Sequence, residues 1–313
     1  MKNILVVGLG KIGIRHFESV LKLKEKTNII LIDLNKFALK ECQIIAQEKK
    51  SIHNISFSEE IPENSIFDIA IIATDAKPRF QLAKQLIEKN LIKNFLLEKV
   101  VFINSFEYET FFNLLKSKNI QCFVNHPRRL YKHFIELKKL FINETQFEIN
   151  IFGDNWGLAS NLLHFTDLIQ FLFNQNIETI ECLNSSNFFS SKRKGYKELN
   201  ATFLCKYPSN SSAYITSGMG SFEGIMIQIK TPNSNVIIYE GSESYLKISN
   251  NSDFQMIHNK YVIETTIETL ESLFNDQMLL PTFHEVMVTH VKFIKTLENI
   301  YCSQGNKDEL RIS

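Results

Sequence analysis

The sequence predicts an α/β protein. An N-terminal, doubly wound parallel sheet is followed by an α+β domain built on a large, mostly antiparallel open sheet. Three observations carry that prediction. Short apolar runs alternate with helix-length stretches over roughly the first 120 residues, the pattern of parallel strands joined by right-handed helical crossovers. A glycine-rich turn separates the first strand from the first helix. Beyond about Glu198 the pattern becomes short alternating segments punctuated by Asn, Gly and Ser, which reads as antiparallel strands.

The elements follow in order. Ile4-Leu5-Val6-Val7 is a continuous apolar run, as expected of a strand covered on both faces. Residues 12–24 read as its helix, 29–32 as the second strand ending at Asp33, and 36–47 as the second helix. Residues 69–73 and 95–97 are further strands, separated by a helix over 79–88. A helix over 108–116 leads to a strand over 121–124. With 313 residues the chain suits two domains, placed at 1–122 and 123–313. In the second, helices are expected over 131–141 and 160–173, and strands over 200–207, 212–216, 226–230, 235–239 and 245–248. An amphipathic helix over 283–297 is expected to pack back near the first domain, and the polar tail after Gln304 to fray.

Composition narrows the function classes. Hydrophobic residues make up 44% and charged residues 22%, a globular balance. The net charge of +1 gives no field that draws nucleic acid or an anionic membrane. The basic run Lys192-Arg193-Lys194 lacks interleaved aromatics and reads as a solvated turn. Five scattered cysteines without a CxxC pair argue against a metal site and suit reduced thiols in a cytosolic protein. The N-terminus lacks signal-peptide features, and no apolar run is long enough to span a membrane.

The turn Gly8-Leu9-Gly10-Lys11-Ile12-Gly13 matches G-x-G-x-x-G. It follows a strand, opens a helix, and has Asp33 at the end of the next strand, the context a dinucleotide-binding Rossmann motif requires. The glycines serve a tight turn, close approach of backbone to a pyrophosphate, and close helix packing, and the helix N-terminus attracts the phosphates. Asp33 would accept hydrogen bonds from the adenosine ribose and repel a 2′-phosphate, which favours NAD over NADP.

Further residues resemble the Gfo/Idh/MocA oxidoreductase family (glucose–fructose oxidoreductase, inositol dehydrogenase and relatives). They are Ile71-Ile72-Ala73-Thr74, Arg79 and Leu97-Glu98-Lys99 in the first half. Asn125-His126-Pro127-Arg128-Arg129 and His164-Phe165-Thr166-Asp167 follow. Three positions depart from the family pattern: Asp75 and Val100 stand where prolines are usual, and Ser160 stands where an aspartate often precedes the histidine by four residues. The segments around Asn125 and Ser160 are similar to a subgroup associated with surface-polysaccharide and nonulosonate sugars.

The resemblance implies a catalytic Lys99 at the C-terminal end of a strand, where Rossmann ligands bind. An ammonium there can hydrogen-bond the reacting oxygen, and an amine can take its proton. Asn161, His164 and Asp167 share one face of an otherwise apolar helix. His164 is expected as proton relay or substrate-hydroxyl ligand, and Asp167 as a catalytic group or as a structural carboxylate. Lys11, Ile12, Thr74, Arg79, Glu98, Lys99 and Asn125 join the three glycines and Asp33 as expected cofactor contacts, and Lys99 and Asn161 are expected to touch the substrate. Arg128 can grip an anion, whereas Arg129 reads as solvated charge. Trp156, the only tryptophan, can stack on a sugar or belong to the core. Ser160 reads as a helix N-cap.

The resulting expectation is NAD-dependent hydride transfer to or from a sugar, polyol or nucleotide sugar, by a homodimer or homotetramer joined through the C-terminal sheet. Two alternatives stand beside it: an NAD-dependent glycosidase-like enzyme, and a catalytically slow NAD-binding protein of a glycan pathway.

Overall fold

The computed structural model describes residues 1–248, 255–257, 262–275 and 277–312. The chain divides into two compact units. The first comprises Met1–Pro127 and Lys260–Met287, the second Arg128–Asn259 and Val288–Ser313.

The first unit is built on a six-stranded, wholly parallel sheet. Its strands are β1 (Asn3–Val7), β2 (Asn28–Ile32), β3 (Asn54–Ser58), β4 (Ile69–Ile72), β5 (Asn94–Leu97) and β6 (Gln121–Val124), in the spatial order β3-β2-β1-β4-β5-β6. The central strands are apolar throughout because both faces are covered: Ile4, Leu5, Val6 and Ile69 to Ile72 are buried. Helices α1 (Lys11–Val20), α2 (Lys36–Glu48), α3 (Ala76–Lys89) and α4 (Ser105–Lys118) make the crossovers. Helix α3 begins three residues earlier than the sequence suggests. Pro78 lies in its first turn, where a missing N–H costs no hydrogen bond. Asn119, at φ 52°, ends α4 in the left-handed conformation.

Strand register fixes the functional edge. Val7 pairs with Ile32 and with Ile72, Ile72 with Leu97, and Leu97 with Val124. The residues that follow these strands are Gly8, Asp33, Ala73-Thr74, Glu98-Lys99 and Asn125. They therefore share the C-terminal edge of one sheet, the place where open α/β sheets bind ligands.

The expected boundary at 122/123 cuts through β6, which is hydrogen-bonded into the sheet, so the first unit extends to Pro127. A later segment also returns to it. Helix α7 (Val262–Phe274) packs on α1, and Phe283 enters a ring cluster with Phe102, Tyr108 and Phe111 at centroid distances of 5.3–5.9 Å. The last long helix, α8 (Phe283–Ser303), is six residues longer than expected at its C-terminal end, and its residues from Val288 onward belong to the second unit.

The second unit carries an eight-stranded sheet. Its strands are β7 (Glu148–Asp154), β8 (Thr179–Ser185), β9 (Ala201–Tyr207), β10 (Ser211–Gly218), β11 (Ile225–Lys230), β12 (Asn235–Glu240), β13 (Tyr245–Ile248) and β14 (Gln255–Met256). Their order is β8-β9-β10-β7-β11-β12-β13-β14, antiparallel except for the parallel β10–β7 pair. Alternation sends Ile149, Ile151, Phe203, Ile215, Ile227 and Ile238 into the core. The opposite face leaves Phe152 and Tyr214 exposed. Helices α5 (Lys132–Leu140) and α6 (Leu158–Phe173) pack together. Phe203 meets Phe293 of α8 edge-on at 5.8 Å. The tail does not fray as expected: Ile312 is buried, and Arg311 O accepts the Lys197 N–H at 2.8 Å.

Candidate functional site

In the first unit the glycine loop is shaped by its own atoms. Gly8 sits at φ +87°, and a Cβ there would meet Thr74 at 2.7 Å. A Cβ on Gly13 would lie 1.8 Å from Gly8 O. Gly10 differs. Its backbone is extended (φ −69°, ψ −174°), and a Cβ there would meet nothing within 4 Å. Gly10 is also the N-cap of α1, makes no side-chain cap, and is followed by no acidic residue in the first turn. A helix start with free N–H groups, a positive dipole end and open space beside it fits a pyrophosphate.

Asp33 borders the loop. Its Oδ2 accepts the Leu9 N–H at 2.5 Å, and its Oδ1 accepts the Asn35 N–H at 2.7 Å. Each oxygen keeps a second lone pair for a ribose hydroxyl. Exposed Lys11 and Ile12 stand on the first turn of α1, and half-buried Thr74 follows β4.

Arg79, expected as a cofactor contact, is buried and used by the main chain. Its guanidinium donates to the carbonyls of Thr74, Glu98, Val100 and Val101. It thereby ties the end of β4 to the turn after β5 that bears Lys99. Burial forces this outcome, because a guanidinium out of water needs acceptors on its N–H groups.

Glu98 anchors a polar network. Its Oε1 accepts from His16 Nε2 at 2.8 Å and from Asn125 Nδ2 at 2.6 Å. A carboxylate has no proton to give, so Nε2 of His16 carries the hydrogen. His16 Nδ1 lies 2.7 Å from Thr266 Oγ1 on α7. Burial alone would raise the Glu98 carboxyl, but His16, Asn125 and the Lys99 ammonium outweigh it and hold it at about 2. A permanently ionised carboxylate thus lies next to Lys99 in sequence, and Lys99 is itself half-buried.

In the second unit the expected polar face of α6 is divided. His164 is half-buried. Asn161 turns back on its own helix start, its Nδ2 donating to Gly157 O at 3.0 Å and Trp156 O at 3.2 Å. Asp167 is buried in a two-point ion pair with Arg129, with Arg129 Nη2 to Asp167 Oδ1 at 2.7 Å and Arg129 Nε to Asp167 Oδ2 at 3.0 Å. Arg129 is therefore not the solvated charge expected. The pair makes Asp167 an anchor of α6.

Ser160 is not the N-cap. That position is Gly157, and the helix start is closed by Glu198, whose carboxylate accepts from Ala159 N (2.9 Å), Ser160 N (3.2 Å) and the Ser160 hydroxyl. Arg128 makes a fork with Glu240 (2.6 and 3.2 Å) and lies 4.3 Å over the Phe165 ring. Trp156 donates Nε1–H to Thr216 O at 2.9 Å and meets Phe165 edge-on at 5.3 Å.

Residues 2–126 match the family model of the Gfo/Idh/MocA proteins, described as an oxidoreductase family with an NAD-binding Rossmann fold. These residues, most of the first unit, are similar to the Rossmann domain of that family.

Solved structures extend the likeness of fold over nearly the whole chain. The transcriptional regulator Gal80p of Kluyveromyces lactis superposes with a TM-score of 0.74 at 13% identity, covering 99% of this chain and 94% of that one. Scyllo-inositol dehydrogenase of Lactobacillus casei, solved with NAD(H) and scyllo-inositol, gives 0.67 at 12% identity over 97% and 98%. UDP-N-acetylglucosamine 3-dehydrogenase of Acidithiobacillus ferrooxidans gives 0.68 at 11% over 96% and 99%. No curated protein sequence matches.

Within the first unit, His16 and Thr266 escaped the sequence reading. His16 lies on a helix face that reads as core, and Thr266 is 250 residues away from it. Glu198 and Glu240 escaped in the second unit for the same reason, as their partners are 38 to 112 residues distant. Among the described residues, no group of three or more His, Cys, Asp or Glu could hold a metal ion, and no helix is long and apolar enough to cross a membrane.

Proposed function

We propose that the chain is an NAD-dependent oxidoreductase that moves hydride between nicotinamide and a hydroxyl-bearing carbon of a sugar, polyol or nucleotide sugar. The observation that carries this reading is Gly10. Neither its backbone angles nor its protein neighbours require a glycine, whereas a pyrophosphate at the start of α1 does. Leu9 to Gly13 with Lys11 and Ile12 hold the phosphates. Asp33 binds the adenosine ribose and repels a 2′-phosphate, so NAD is the cofactor and NADP the weaker ligand. Thr74, Glu98 and Asn125 complete the edge.

Bound nicotinamide supplies the hydride acceptor. The chain's own residues manage the proton. Lys99, as the neutral amine, takes the hydroxyl proton as the carbinol becomes a carbonyl, and the ammonium so formed hydrogen-bonds the product oxygen. Glu98, fixed by His16 and Asn125, holds the Lys99 turn from one side, and Arg79 holds it through carbonyls. His164 binds a substrate hydroxyl. The family match, together with the sugar and nucleotide-sugar dehydrogenases that share the fold, supports the substrate class. The exposed Phe152 and Tyr214 on the outer sheet face support assembly into a homodimer or homotetramer, and unpaired thiols support a cytoplasmic setting.

A second reading is favoured by the likeness to Gal80p, described as a transcriptional regulator. In it the chain binds NAD and sugar without turnover. An absorbance assay at the reduced-nicotinamide band separates the two, run with NAD and NADP against free sugars, polyols and nucleotide sugars. The oxidoreductase reading expects reduction of NAD with at least one substrate, lost in Lys99→Met with NAD affinity retained. Bound NAD with no reduction by any substrate favours the second reading, and equal rates in Lys99→Met remove Lys99 from the chemistry.

A further inference from the structure

The second unit carries an open depression of about 610 Å³ at one end of its sheet, where β7 and β12 end and β11 begins. Its wall includes Trp156, Phe222, Asp154, Glu223 and Glu240.

The wall is rigid. Asp154 Oδ2 accepts the Phe222 N–H at 2.8 Å, Asn155 Nδ2 donates to Gly220 O at 3.1 Å, and the Tyr239 hydroxyl donates to Glu223 O at 2.8 Å. Trp156 is held by its N–H bond to Thr216 O and by the edge of Phe165, so the indole is a fixed plate. A site set before the ligand arrives loses little entropy on binding.

Charge selects the ligand. Among the described residues, those lining the depression include three carboxylates and no Lys, Arg or His. Glu240 is neutralised by Arg128, which leaves Asp154 and Glu223 to set a negative potential. Phosphate recognition uses guanidinium forks or open helix starts. The Arg128 fork is taken by Glu240, and the start of α6, one residue beyond Trp156, is taken by Glu198. An indole plate beside carboxylate acceptors instead suits a hydroxylated ring, its C–H face on the aromatic and its hydroxyls donating to oxygen.

We propose that this depression is a carbohydrate subsite that accepts an uncharged or amine-bearing sugar ring and excludes phosphorylated ones. The proposal rests on the sugar reading above and narrows it. Because Trp156 is the only tryptophan of the chain, its emission comes from the wall of this depression and can be read without NAD and without turnover.

The test titrates the full chain with glucose, galactose and glucosamine, and with glucose 1-phosphate, glucose 6-phosphate and a UDP-hexose, under selective tryptophan excitation. The expected result is a saturable change with at least one unphosphorylated sugar, with its phosphate at least about tenfold weaker. Phe222→Ala should weaken the sugar about fivefold. Glu223→Lys, on an exposed loop residue, should bring the phosphates towards parity. No saturable change with any unphosphorylated sugar overturns the proposal, as do phosphates that bind equally well to the unaltered chain. NAD binding measured on the same samples reads the oxidoreductase proposal separately, so either can fail alone.

Discussion

Two helices of this protein start in the same way and end up with different partners. Helix α1 begins at Gly10 and α6 at Gly157, both N-caps give no side-chain hydrogen bond, and neither first turn contains an acidic residue. Each start therefore presents free N–H groups and a positive dipole end. At α6 the chain meets this need itself, with the buried Glu198 carboxylate on Ala159, Ser160 and the Ser160 hydroxyl. At α1 the side of Gly10 faces open space. One start is completed by folding, and the other is left open, where the proposed function places an anion from outside. The open start shares its sheet edge with Asp33 and Lys99, whereas the closed one helps make its surroundings acidic.

The comparison can be broken at either end. The largest effect is expected for Gly13→Ala, because its Cβ would fall 1.8 Å from Gly8 O; a loss above about 4 kcal/mol in urea unfolding is expected. Asp167→Asn leaves the buried Arg129 charge without its counter-ion and should cost about 3–5 kcal/mol in the same measurement.

Glu98 gives a pH signature. Its folded value of about 2 lies below the ordinary 4.5, so its contribution is fully present above the unfolded value and is lost as pH falls towards 2. Stability of the unaltered chain should drop by about 3 kcal/mol more than that of Glu98→Gln across that window. Equal slopes would remove Glu98 as its source. Glu198→Ala opens the closed start of α6 and should cost about 1–2 kcal/mol, with NAD affinity unchanged.

Much of the first unit was legible because its cues are local. Four-residue apolar runs and the Gly8–Gly13 spacing act within one strand–turn–helix segment, and Asp33 falls at the next strand end. Strand β3 was not legible, since Asn54-Ile55-Ser56-Phe57-Ser58 lies at the sheet edge with no fully buried residue. Strands β7 and β8 also escaped, although Ile149 and Ile151 alternate as a half-buried strand should. Side-chain partnerships were the least legible. Arg79, Arg129 and Ser160 were read as a ligand contact, solvated charge and a cap, and Asp167 as either a catalytic group or a structural carboxylate. Their burial and their partners depend on segments up to 38 residues distant, which no local pattern encodes.

The smallest expected change in stability tests the central claim most directly. Gly10→Ala places a methyl where no protein atom lies within 4 Å, on backbone angles that alanine adopts freely. Unfolding should shift by less than about 0.5 kcal/mol, while isothermal titration should show NAD affinity lowered at least about tenfold as the pyrophosphate loses its approach. Unchanged NAD affinity in a stably folded Gly10→Ala protein would contradict the assignment of the open start of α1 to the dinucleotide.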